Sequence, residues 1–224
     1  YALAHTRDPR SLRDAELRAY ALLIVGFSVF VAIDNAGHDR GVAFLDVAFS
    51  VVSIVTTTGF ATADFDEWPD LSRALLVALM FVGGCAGSTA GGAKVIRFLV
   101  AWRTTMREIR LIYSPRSVVA VVVGGKPVPN ESVGGVASFL ILWMLAWAIG
   151  ALLLSVGDTG IVTAATASIA TLANIGPGLE SVGPTGNFAA FADWQKLLMV
   201  FLMWLGRLEF FALLAVFQPY FWRR

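Results

Sequence analysis

Apolar residues fall along the chain in blocks of two lengths. The long blocks, at 19–34, 133–156 and 194–222, suit a membrane crossing, which takes about 20 apolar residues. The short blocks, at 43–55 and 161–173, cannot cross, and runs of roughly 10–14 residues read as buried or re-entrant segments. A fourth long block, 71–99, begins apolar and is broken at 83–92. The pattern predicts an all-α integral membrane protein of two repeated units, each a span, a re-entrant half-helix, a turn and a second span. The first unit is 1–113, with span 19–34, half-helix 43–55, turn 56–60, broken span 71–99 and a basic helix ending at 113. A linker, 114–132, leads to the second unit, 133–224, with span 133–156, half-helix 161–173, turn 174–178 and span 194–222.

The first short block closes on Thr56-Thr57-Thr58-Gly59-Phe60. Irregular backbone at membrane depth is tolerated only where protein buries it or where it lines a water-filled cavity. Carbonyls there can replace part of an ion's hydration shell. The stretch therefore reads either as one segment of a cation filter or as an ordinary outer turn, in which Thr and Gly are also common.

Residues 83–92 read Gly-Gly-Cys-Ala-Gly-Ser-Thr-Ala-Gly-Gly. Each glycine disfavours a helix interior by about 0.8–1.0 kcal/mol relative to alanine, so the five together oppose a continuous helix by roughly 4–5 kcal/mol. The competing explanation is close helix packing, since Gly83/Gly87 and Gly87/Gly91 have small-xxx-small spacing. The adjacent pairs 83–84 and 91–92 are not needed for that packing and favour an intramembrane loop. Beyond it, Phe98, Trp102, Met106, Ile109 and Tyr113 form one stripe of a helix, and Arg103, Arg107 and Arg110 the opposite one. Such a helix lies on or just outside a membrane face. Ser117–Val123, ended by Gly124-Gly125 and followed by Lys126-Pro127-Val128-Pro129, predicts a small hairpin or turn.

Composition supports the membrane class: 57% of residues are hydrophobic and 15% charged. Tyr1–Arg18, Lys94–Glu131 and Arg223-Arg224 hold most of the lysine and arginine, whereas the two loops bearing the short blocks hold only Arg40. The positive-inside rule then places both termini and 94–131 in the cytoplasm, with the short blocks dipping in from outside. Asp34, Asp39, Asp46, Asp64, Asp66, Glu67, Asp70, Asp158, Glu180 and Asp193 fall on the outer side, as a vestibule that concentrates cations or as a merely soluble surface. Cys85 is the sole cysteine, and His5 and His38 stand in polar segments away from any second ligand. No nucleophile–base pair stands in a crossing, so an intramembrane hydrolase is disfavoured and the chain is not expected to be an enzyme.

The halves match. The offset that lays Gly59 on Gly176 also lays Thr57 on Asn174, Ser53 on Ala170 and Ala48 on Ala165. A second offset lays Met80, Val82 and Gly83 on Met203, Leu205 and Gly206. Together with Ala173-Asn174-Ile175-Gly176-Pro177-Gly178 and Gly206-Arg207-Leu208-Glu209, these stretches resemble the C-terminal half of bacterial potassium-uptake proteins of the Trk/Ktr/HKT superfamily, TrkH type. The resemblance covers nearly the whole chain. It implies four such units around one pore, of which these look like the third and fourth, so the chain is expected to be part of a longer one unless two copies associate.

The resemblance further implies that K+ is the transported ion, coordinated by carbonyls at Thr57, Thr58 and Gly59 and at Asn174, Ile175 and Gly176. Phe60 and Pro177 would stiffen the outer end, and Asn174 would brace its turn. The gate would be the loop containing Gly83, Gly84, Gly87, Ser88, Thr89, Gly91 and Gly92, restrained by Arg207. Arg207 lies 13 residues past Trp194, about 20 Å along a helix. An arginine at such depth needs a cavity or a partner. Glu209, two residues away, faces elsewhere on a helix, so the loop carbonyls fit better; an arginine bridging subunits is the alternative. The family implies a homodimer of full-length chains in the bacterial cytoplasmic membrane, docked on a cytosolic nucleotide-binding regulatory ring near Lys126, with no cofactor on this chain. The other readings are a basic helix that only meets anionic lipid, a sodium-conducting member of the superfamily, and a non-conducting assembly subunit.

Overall fold

The computed structural model describes residues 14–38, 41–115, 117 and 119–208. His5, Arg40, Asp39, Glu209, Arg223 and Arg224, and the last part of the 194–222 span, lie outside the described residues. Those that are described form seven α-helices and one two-stranded hairpin. In chain order these are α1 (Ala15–Gly37), α2 (Phe44–Val55), α3 (Asp70–Val82), α4 (Val95–Tyr113), β1 (Val122–Val123), β2 (Lys126–Pro127), α5 (Asn130–Leu154), α6 (Ile161–Leu172) and α7 (Asp193–Arg207).

Local sequence accounts for the boundaries. Asp14 caps α1, its carboxylate accepting the Glu16 N–H at 2.8 Å, so the helix begins one turn inside the polar stretch and four residues before the expected span. Pro129 precedes α5 and Glu131 sits in its first turn, so α5 starts inside the expected linker. The hairpin turns on Gly124-Gly125 and pairs Val123 with Lys126.

α1 and α5 are apolar on all sides, are long enough to cross a membrane, and are mostly exposed along their length. Helices of that kind need an apolar surround. Each spanning helix packs on the half-helix that follows it, α1 on α2 and α5 on α6, and each half-helix packs on the next inner helix, α2 on α3 and α6 on α7. The units meet where α4 packs on α5 and α3 on α6. One core joins them, containing Val51, Ile54, Leu76 and Met80 from the first and Trp143, Ile169, Leu172 and Leu202 from the second. Across the same boundary the Phe81 and Trp147 rings meet edge to face at 5.1 Å.

The helix ends and loops around Asp34, Asp66 and Gln195 are tied by side chains. Asp34 of α1 accepts from the Ser72 N–H (3.1 Å) and hydroxyl (2.6 Å), capping the start of α3. In the second unit the Gln195 amide of α7 donates to Leu154 and Val156, each at 2.9 Å, capping the end of α5. Asp66 pairs with Arg73 at 3.0 Å and accepts the Glu180 N–H at 3.0 Å; Asp64 accepts from Thr185 at 2.8 Å. Asp46 and Glu180 accept from Thr62 and Thr163. These five carboxylates of the expected acidic face thus also hold caps and loops. Glu67, Asp70, Asp158 and Asp193 remain exposed.

Candidate functional site

Both half-helices end in the same hydrogen-bonded motif. After α2, the Thr57 N–H donates to Ile54 at 3.1 Å and the Thr58 N–H to Ser53 at 2.9 Å. After α6, the Asn174 N–H donates to Thr171 at 3.0 Å and the Ile175 N–H to Ala170 at 2.9 Å. These are the paired bonds of a Schellman cap, bond for bond at the offset seen in the sequence. The residue at the turning position is left-handed in each, Thr57 at φ 57° and Asn174 at φ 55°. Two residues on, Gly59 and Gly176 are again at positive φ, 76° and 117°.

The motif leaves the carbonyls of Thr57, Thr58, Gly59, Asn174, Ile175 and Gly176 without a donor among the described residues. Ile175 is buried, Thr57, Gly59 and Asn174 are half-buried, and Thr58 and Gly176 are exposed; carbonyls left open at the buried and half-buried positions call for a ligand or water. They lie just past the C-terminal ends of α2 and α6, where the helix dipole is negative. Backbone oxygens at two negative helix ends suit a cation, whose hydration they can replace. Among the described residues no cluster of three or more His, Cys, Asp or Glu side chains competes for a metal ion.

The two turns abut. A Cβ on Gly59 would run into the Ile175 carbonyl oxygen and come 3.1 Å from Pro177 Cδ, so only glycine lets the strands approach. The Ser53 hydroxyl donates to the Phe60 carbonyl at 2.6 Å and pins the turn to α2, while the Phe60 ring is exposed.

Below the turns α3 stops at Val82, and 83–94 is irregular until α4 begins at Val95. The glycines therefore break the helix rather than pack a continuous one. Backbone bonds from Lys94 to Val82 (2.9 Å) and Val95 to Gly84 (3.1 Å) close the base of the loop. Gly83 and Gly92 back onto each other there, Gly84 lies against Ser88 and Ala90, and Gly87 at the far end meets no neighbour. Gly91 fits where nothing larger can, since a Cβ would strike the Ala173 carbonyl.

Four side chains from four segments hold the loop. Arg207 Nη1 donates to the Thr89 carbonyl at 2.5 Å. Lys94 Nζ donates to Ser88 at 2.9 Å and Ala90 at 2.5 Å. The Glu16 carboxylate accepts the Ala86 N–H at 2.6 Å, and the Thr57 hydroxyl accepts the Gly91 N–H at 2.9 Å. A cavity of about 280 Å³ lies beside this assembly, lined by Ser88–Gly92, Lys94, Arg97, Phe139 and Arg207. The residues singled out in the sequence thus come together as two abutting turns with one loop beneath them. The sequence reading did not foresee Glu16, Lys94 or the Thr57 hydroxyl in contact with the loop. Lys94 alone left a signal there, as a cation directly after the glycine run.

Asn174 does more than brace its own turn. Its amide donates to Met203 in α7 at 3.1 Å as well as to Leu172 at 3.4 Å.

The TrkH family model, described as a cation transport protein, matches residues 26–223. The chain belongs to the TrkH family. Among curated relatives it is 35% identical over 216 residues to the Trk system potassium uptake protein TrkI of Halomonas elongata, covering 95% of this chain and 44% of the relative. It is 40% identical over 181 residues to the TrkH of Vibrio parahaemolyticus, covering 81% and 37%. The crystal structure of the potassium transporter TrkH from Vibrio parahaemolyticus superposes with a TM-score of 0.86 at 36% identity, covering 95% of this chain and 46% of that one. The chain spans less than half the length of these relatives. The helical membrane fold expected from the apolar blocks is the fold of this family.

Proposed function

We propose that the full-length protein carries potassium ions across the bacterial cytoplasmic membrane through a pore to which this chain contributes two filter turns, 56–60 and 174–178. One observation carries the reading: six carbonyls at equivalent positions of two half-helix ends have no donor among the described residues. Cation identity rests on the relatives, which are potassium uptake proteins. The remaining filter segments come from the N-terminal half of the full-length chain. Transport rather than catalysis is the activity, because the converging groups are backbone acceptors.

In this reading the 83–92 loop obstructs the path below the filter, and Arg207, Lys94 and Glu16 hold it there. The basic α4 and the β1–β2 hairpin face the cytoplasm, where the hairpin turn at Lys126 docks a nucleotide-binding regulatory ring, and two full-length chains associate. Exposed Trp102, Ile112 and Tyr113 on α4 meet the lipid interface.

The test is ion flux through the full-length protein in liposomes. Potassium flux that exceeds sodium flux and loses this preference in Gly59→Ser supports the reading. Equal flux of both ions reassigns the cation, and no flux with the loop shortened leaves an assembly subunit. For the partner, replacing 124–127 should weaken association with the purified ring; undiminished association removes the hairpin from the contact.

A further inference from the structure

We propose that the Thr57 hydroxyl couples the loop to the filter, so that releasing the loop changes ion discrimination. The inference rests on the filter and gate reading above.

The turning position of each Schellman cap carries a side chain that reaches the second crossing of its own unit, a helix in one unit and the broken segment in the other. In the second unit Asn174 is suited to a left-handed backbone and grips Met203, inside the continuous helix α7. In the first unit the position is Thr57, a β-branched residue for which positive φ is an outlier. Its inner helix has already ended, so its hydroxyl meets the loop instead, at the Gly91 N–H. Among the described residues that N–H is the only partner of the Thr57 hydroxyl. A fixed anchor in one unit is thus replaced by a movable one in the other. Gly91 also lies against Ala173 and Asn174, so this single loop residue touches both turns.

A residue held in a sparsely populated backbone conformation persists where its surroundings over-determine it. When the loop leaves, Thr57 loses its one side-chain contact while its carbonyl still faces the ion. Turn geometry and loop position then share a free energy, and the linkage is reciprocal: an ion that favours the left-handed turn also favours the docked loop. One neutral hydrogen bond corresponds to about fivefold in an equilibrium constant.

The experiment measures the potassium-to-sodium permeability ratio of the full-length protein in liposomes, with Arg207 intact and with Arg207→Ala. Each is combined with the native Thr57, Thr57→Ser and Thr57→Val. Loop release is expected to shift the ratio by about fivefold in the native and serine forms, which keep the acceptor. The shift should vanish in the valine form. Thr57→Ala, which lacks both the acceptor and the β-branch, decides the matter should the valine form not fold. The same shift in the valine or alanine form as in the native one overturns the coupling. So does the absence of any shift in the native form while Gly59→Ser still degrades selectivity, and in that case the filter reading stands. Unchanged selectivity in Gly59→Ser removes the filter reading and the coupling together.

Discussion

Arg207 Nη1 donates to the Thr89 carbonyl oxygen across 2.5 Å, joining the end of α7 to the 83–92 loop. The residues are 118 apart in the chain, and the contact crosses from one unit to the other.

If this bond holds an obstruction in place, Arg207→Ala should raise flux. A hydrogen bond to a charged group contributes about 1.5–3 kcal/mol, or roughly tenfold and more in the open fraction. Deleting part of Ser88–Gly91 should also raise flux, and the double variant should gain little over the deletion, since members of one network are non-additive by about 0.5–3 kcal/mol. Arg207→Gln keeps bulk and donors; intermediate flux there supports restraint, whereas flux near wild type means the arginine acts by volume. Additive effects would indicate two independent sites. Reconstituted full-length protein provides the measurement.

Lys94 is expected to share the work of Arg207, because its ammonium donates to the carbonyls on either side of Thr89. Lys94→Met should raise flux, and combined with Arg207→Ala it should give less than the product of the two increases. A Lys94→Met protein with flux at or below wild type would mean that the lysine only closes the base of the loop.

Gly59 and Gly176 occupy equivalent positions but unequal surroundings. A Cβ on Gly59 strikes the Ile175 carbonyl, whereas one on Gly176 meets no atom within 4 Å. Both alanine variants bear the backbone strain of positive φ, and Gly59→Ala additionally displaces the neighbouring turn. Gly59→Ala should therefore lose more potassium-to-sodium discrimination than Gly176→Ala. Equal losses would mean that the contact between the turns is not what sets the filter's width.

Asp66 and Arg73, with side chains 24% and 23% exposed, tie the outer loop of the first unit to α3. Asp66 also accepts the Glu180 N–H and so spans both units. Asp66→Ala leaves Arg73 with Asp70 alone, at 3.3 Å, and the Glu180 N–H without its acceptor, and should lower stability by about 1–3 kcal/mol. Thermal melting of the detergent-solubilised protein, with Arg73→Met and the double variant completing a cycle, measures the pair. A coupling energy near zero would make it a solvent-screened contact of the ordinary surface kind.

The half-helices were legible because their evidence is local. Runs 43–55 and 161–173 are too short to cross a bilayer, and a glycine follows within four residues of each. The broken helix was legible for the same reason, five glycines in ten residues. The capping roles of the acidic residues were not legible, because composition reports charge without its partner. Only the fold of α3 onto α1 brings the Ser72 N–H to Asp34.

The sequence by itself determined the class, the two-unit repeat, the place of each turn and the need for Arg207 to find an acceptor. These follow from run length, periodicity and the cost of placing an arginine at membrane depth, all of which act over a few residues. Only the tertiary structure decided which acceptor Arg207 takes, that Gly59 backs onto Ile175, and that the Thr57 hydroxyl holds Gly91. Those contacts arise where α3 packs on α6 and the loop folds beneath both turns, and no local periodicity encodes the relative position of two helices that meet only through their side chains.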